Sequence, residues 1–152
     1  MKDIIMIKLF RQGRFLILVF VCTFVNQVQA QGQQQHGNYT VYHTIFDSTF
    51  LQPEIAAAYD VVRGENLFLV NISVNADGKN FGQAVDLEGT ATNLLQQQKK
   101  LDFKTISEGE ATYYIAPLRV TSQDILHFAI DVRPPESAPF TVKFTKTLRS
   151  NE

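Results

Sequence analysis

Three stretches of this chain place an apolar residue at every second position, and that period constrains the fold more than any other feature. Phe68, Val70, Ile72 and Val74 form one such row, alternating with Leu67, Leu69, Asn71 and Ser73. Leu126, Phe128, Ile130 and Val132 alternate with His127, Ala129, Asp131 and Arg133, and Phe140, Val142 and Phe144 with Thr141, Lys143 and Thr145. A β-strand turns successive side chains to opposite faces, so each run is a strand with one apolar face. Three strands of this kind imply sheets packed face to face around a shared core.

Weaker strands are expected at 39–46, 83–95, 100–107 and 111–118, for about seven in all. In 83–95 the apolar parity is odd at Val85 and Leu87 and even by Leu94, and a bulge at Gly89 accounts for the switch. Ala76-Asp77-Gly78-Lys79 supplies a tight connection, which pairs 67–75 with 83–95 as a hairpin. Ser107-Glu108-Gly109-Glu110 turns the chain again, and Pro134-Pro135 breaks it before the last strand. Pro53 to Tyr59 is the one helical segment, with Pro and Glu54 suited to a first turn, and is short enough to be only a connector at one end of the sandwich.

Residues 1–30 carry Lys2, Lys8, Arg11 and Arg14, then the apolar run Phe15 to Val25, then a polar stretch ending Val28-Gln29-Ala30. That order is a secretory signal, with cleavage expected after Ala30. The eleven-residue apolar run is short for a membrane anchor, which takes about 20 residues. Cys22 follows Val21 rather than the small residue of a lipoprotein site and reads as filler of the apolar run. Gln31 to Gly37 is Gln- and Gly-rich, so residues 31–38 are expected to be a flexible leader and 39–150 a single domain.

Without residues 1–30, ten basic residues face fourteen acidic ones, a net charge of −4 that opposes binding to a phosphate backbone. The one Cys and both Met residues fall in the signal, so the exported part carries no sulfur. This removes disulfides, thiol redox chemistry and soft-ligand metal sites. The three His residues, His36, His43 and His127, show no His-x-His or His-x-x-x-His spacing, and no bound metal or other cofactor is expected.

Phe50-Leu51-Gln52-Pro53-Glu54-Ile55-Ala56-Ala57-Ala58-Tyr59, then Arg63, then Leu69 to Val74 resemble the pattern of the DUF4426 family of small exported bacterial proteins. Gly89 to Leu94 and Tyr113-Tyr114-Ile115-Ala116-Pro117 resemble its later blocks. The resemblance covers most of 39–148 and implies a gamma-proteobacterial periplasmic protein with no known reaction. One departure is Tyr42-His43, where the family pattern has His before Tyr, an order that exchanges which of the two faces inward.

His127, Asp131 and Arg133 share a strand face, but His127 and Asp131 are separated by roughly 13 Å along an extended chain. His43, Asp47 and Ser48 offer the residue types of a nucleophilic triad without a nucleophile elbow. No catalytic residue is assigned. For binding, Tyr113 and Tyr114 point to opposite faces, so one of them lies near the outside of its sheet, with Arg63, Asn93 and Arg119 as polar neighbours. The expected fold is all-β, an antiparallel immunoglobulin-like β-sandwich of about seven strands with one short helix. The expected function is a non-catalytic periplasmic module that binds an envelope protein. The alternatives are a small-ligand hydrolase with a His base and an adhesin or pilus-like subunit joined by strand pairing.

Overall fold

The structure, a computed structural model, describes residues 32–149. The expected signal and its cleavage site lie outside the described residues. Nine strands run in the order β1 (Gly32–His36), β2 (Tyr39–Asp47), β3 (Leu67–Ala76), β4 (Asp86–Thr92), β5 (Gln98–Leu101), β6 (Lys104–Glu108), β7 (Ala111–Arg119), β8 (Asp124–Arg133) and β9 (Phe140–Leu148). A helix, α1 (Pro53–Ala58), lies between β2 and β3. All pairings are antiparallel and form two sheets, β1-β2-β3-β7-β6 and β5-β4-β8-β9. They are called the first and second sheet below.

The alternating rows build the core between these sheets. Val70, Ile72 and Val74 from the first sheet and Phe128, Ile130, Val132 and Val142 from the second belong to one buried cluster. The expected antiparallel sandwich with one short helix is therefore the architecture found. Burial of each such aliphatic or aromatic side chain contributes about 1.5–3 kcal/mol, which makes the inward rows the main stabilising element. β3 is also buried on its outer side at Leu67 and Leu69, as is Ile106 on β6. The excursion between β2 and β3 reaches this side, because Tyr59 Oη donates to Glu108 and Lys104 Nζ to Asp60. α1 is thus tied to β6 rather than confined to one end.

The strand count rises from seven to nine for two reasons. Residues 32–36, expected as a flexible leader, form β1, since Gly37-Asn38 closes a two-residue hairpin with Gly37 at φ 57. A positive φ at the first central position is that of a II′ turn, whose twist suits a hairpin. Gln34 then donates to the Lys143 carbonyl, and His36 stacks on Phe140 with ring centroids 4.7 Å apart. The ordered domain accordingly begins before residue 39. Residues 100–107 divide into β5 and β6, which belong to different sheets, with the chain crossing at Asp102-Phe103.

Two further expectations are corrected. β3 and β4 are not hairpin partners; they lie in different sheets. Gly78 takes φ 76 at the second central position of its turn, the pattern of a type II turn, which splays its flanking strands instead of pairing them. Gly89 is no bulge either, because Asp86 to Thr92 pair with β8 in one unbroken register. It faces inward where a Cβ would lie 2.7 Å from Ile130 Cδ1 and 2.9 Å from Phe103, so a lack of space explains the glycine. Leu94, where the parity turns even, lies beyond the strand.

Candidate functional site

The residues singled out for binding do not form one site. Tyr114 is buried, its hydroxyl donating to the Val85 carbonyl at 2.7 Å and accepting from the Val85 amide at 2.7 Å. Burial raises its pKa above the ordinary phenol value, and it is a core residue that locks the segment before β4. Arg63 Nη2 donates to the Thr49 carbonyl at 3.0 Å and closes the base of the β2–β3 excursion. Asn93 organises its own loop, with Oδ1 accepting from the amides of Leu95 and Gln97 and Nδ2 donating to Gln97 Oε1. Such side-chain turns are a common role of Asn.

Asn93 and Arg119 do meet, at the rim of a cleft of about 400 Å³ at the end where β4 and β7 finish. The cleft lies between the loop 93–97 and residues 119–126, with Leu94, Leu95, Lys99 and Asp124 also lining it. Lys99 Nζ is held by the Arg119 carbonyl at 2.9 Å, whereas the Arg119 guanidinium makes no hydrogen bond within the described residues. This same end carries the base of the β2–β3 excursion, since the Val120 amide donates to the Asn66 carbonyl and Ser48 Oγ clasps the carbonyl and amide of Gly64. Leu94 and Leu95, which line the cleft, are 59% and 79% exposed, and the β2–β3 excursion exposes Phe50 at 81% and Val62 at 66%. The exposed leucines had a legible signal, since apolar parity fails at Leu94.

Tyr113 belongs elsewhere, to a pocket of about 290 Å³ on the outer face of the first sheet. β3 and β7 pair as far as Ile72 opposite Tyr114 and then part. Gly82-Gln83 fills the gap, with the Gln83 amide donating to the Val74 carbonyl and the Gly82 carbonyl accepting from the Thr112 amide. Tyr42, Asn71, Ser73, Asn75 and Phe81 line the resulting hollow, with Lys79 Nζ 5.6 Å above the Phe81 ring. Asn71 and Tyr42 were not singled out for binding. Their signal was the polar row facing away from the core, which alternation alone marks as solvated.

The histidines are spread over three environments. His43 points inward, as the Tyr-His order implies, and stacks on Phe144 at 3.8 Å, which in turn stacks on Phe128 at 4.8 Å. Burial first, and then the charge of Lys146, lower its pKa below 6.5. Asp47 Oδ1 caps the next turn by accepting from the amide and hydroxyl of Thr49, and Ser48 serves its clasp, so these residues do not converge with His43 as a triad. His127 is exposed on the second sheet, its Nδ1 2.9 Å from Thr145 Oγ1, beside a shallow hollow of about 420 Å³. Asp131 on the same face accepts from Thr141 instead, and Arg133 pairs with Glu88.

With this geometry in place, sequence and fold comparison decide the family. The profile of the domain of unknown function DUF4426 matches residues 33–150. The chain belongs to this family. The crystal structure of a DUF4426 protein from Pseudomonas aeruginosa PAO1 is similar to it at 28% identity and a TM-score of 0.74, covering 82% of this chain and 99% of that one. No curated protein sequence matches.

FetP of uropathogenic Escherichia coli, expressed in the periplasm, shares the fold at 11% identity and a TM-score of 0.56, over 81% of this chain and 96% of its own. A copper-bound variant of Campylobacter jejuni P19 does so at 10% identity and a TM-score of 0.58, over 79% and 95%. The copper belongs to that P19 variant. Among the described residues no three His, Cys, Asp or Glu side chains gather, Met and Cys are absent from 32–149, and each His is engaged separately. Nor, among the described residues, is any helix long and apolar enough to cross a membrane.

Proposed function

We propose that this DUF4426 protein is a non-catalytic binding module of the bacterial envelope, acting in the periplasm and contacting a protein partner through the apolar loop end of the sandwich. The observation that carries this reading is the pair Leu94 and Leu95, exposed side by side at the cleft that the unpaired Arg119 also lines. Adjacent exposed apolar side chains mark interaction sites, and leucines with an Arg in a polar rim suit a protein surface. The charges lining the cleft are mixed, with Lys99 and Arg119 beside Asp124. An anionic membrane surface calls instead for a basic excess. The basic-apolar-small order of residues 1–30 and the fold shared with FetP support the periplasmic setting.

The test is in-cell photocrosslinking of the full chain, with a photoreactive residue at position 95 or, on strand β9, at position 143. A discrete protein adduct from 95, absent from 143 and lost in Leu94→Ser/Leu95→Ser, is expected. Equal adducts from both positions, none from either, or attachment to anionic lipid overturns the reading. A hydrolytic reading rests on the 2.9 Å contact of His127 with Thr145, a base beside a hydroxyl. It lacks a carboxylate to orient the imidazole. Loss of a measured hydrolysis in Thr145→Val would favour it over binding.

A further inference from the structure

The hollow between Tyr42 and Tyr113 is far from the loop end and has its own chemistry. Asn71 Oδ1 is buried at its floor and receives no hydrogen bond from the described residues. A buried acceptor without a donor is costly, and native structures retain few of them. Asn66 Oδ1 is in the same condition, but Asn66 is needed for its left-handed backbone at φ 60. Asn71 sits in regular strand, where a Val or Thr would serve the sheet better. Its retention at the floor of a pocket points outward, to a donor supplied by a ligand.

The walls narrow the class of ligand. Tyr42 pairs with Ser73 across β2 and β3, and Tyr113 lies on β7 at the far side of β3, so the two tyrosines flank the floor across two strand spacings, about 10 Å. Neither hydroxyl makes a hydrogen bond within the described residues. No carboxylate lines the pocket to balance a cation, and the one cation, Lys79, is exposed and lies over Phe81. The lining offers aromatic faces, one orphan acceptor and neutral amides and hydroxyls. A volume of about 290 Å³ is near the lower bound of small-molecule sites, roughly 300 Å³, and accommodates one ring.

We propose that this pocket binds a pyranose unit, whose CH-bearing ring faces pack against Tyr42 and Tyr113 and whose hydroxyls donate to Asn71 Oδ1 and bond with Ser73 and Asn75. A sugar hydroxyl both donates and accepts, which suits a floor where Ser73 Oγ already donates to Asn75 Oδ1 at 3.0 Å. The unit is either a free monosaccharide or a residue of a glycan chain, since the hollow is open to solvent along the sheet.

Nuclear magnetic resonance titration of the isotopically labelled protein with D-glucose, N-acetyl-D-glucosamine and a linear hexamer of each tests this. Saturable shifts of the Asn71 side-chain amide and the Gly82 backbone amide are expected with at least one sugar. A hexamer that binds more tightly than its monomer identifies a glycan chain, and equal affinity identifies the free sugar. Tyr113→Ala should weaken binding about tenfold or more. Asn71→Leu should abolish it while leaving the thermal midpoint unchanged or higher, because it removes a buried unsatisfied carbonyl. No saturable shift with any of the four probes into the tens of millimolar, or unchanged affinity in both variants, overturns the proposal.

Discussion

Tyr114 and His43 both face the core, and each makes a distinct prediction. Tyr114 holds both backbone groups of Val85, so Tyr114→Phe leaves an amide and a carbonyl without their partner. The expected loss is about 1–3 kcal/mol in chemical denaturation, with the fold retained. His43 has its pKa lowered by burial and by Lys146, so between its folded value and 6.5 the unfolded chain binds more protons than the native one. Stability is therefore full above pH 6.5 and falls as the pH drops toward the lowered value. His43→Phe keeps a ring on Phe144 and should shrink the difference in unfolding free energy between neutral pH and pH 5. An undiminished difference would assign the pH dependence to other groups. Alternation alone made it legible that Tyr113 and Tyr114 oppose one another. It did not reveal which faces out, since that depends on the inward parity set by Ile72 across the sheet.

At the scale of elements, glycines with different physical roles respond differently to substitution. A Cβ at Gly82 would lie 2.1 Å from the Thr112 carbonyl oxygen and 2.6 Å from Ser73 Oγ. Because the first obstacle is backbone, Gly82→Ala must displace the segment that bridges β3 and β7. A loss of about 3 kcal/mol, the upper end for overpacking, is expected, together with distortion of the tyrosine pocket. Gly78 meets nothing within 4 Å, and Gly78→Ala should cost only the left-handed backbone penalty, about 1–2 kcal/mol. Urea denaturation of both variants measures the contrast, and equal losses would contradict it. The long amphipathic strands β3, β8 and β9 and the helix were legible because their patterns are local. β1 was not, because Gln-rich composition concealed a Gly-Asn hairpin turn. The pairing of β4 was not, because Asp77-Gly78 marks a turn without stating which sheet the chain enters next.

For the whole molecule, the two-sheet sandwich followed from apolar rows that need one another's cover, whereas sheet membership rests on long-range contacts such as Tyr114 with Val85. The candidate site was legible only in part: the sequence pointed to Tyr113, Asn93 and Arg119, and the fold placed the first on one surface and the other two on another. The sheet edges decide between a discrete binding module and a subunit that polymerises by adding strands. β1, β5 and β6 are edge strands of five, four and five residues. β5 carries Lys99 and Lys100, and β6 carries Lys104. β9 is a longer edge, but it bears Lys143 and Lys146, and its Lys143 carbonyl is taken by Gln34 at 2.8 Å. Short edges, lysines and an occupied carbonyl each oppose pairing with a second chain. The protein should therefore elute as a monomer in size-exclusion chromatography with light scattering, at a mass independent of concentration. Replacing the edge lysines with Lys143→Val/Lys146→Val should make that mass rise with concentration. Concentration-dependent assembly of the unaltered protein would instead favour the pilus-like alternative, with β9 as the strand that receives a neighbour.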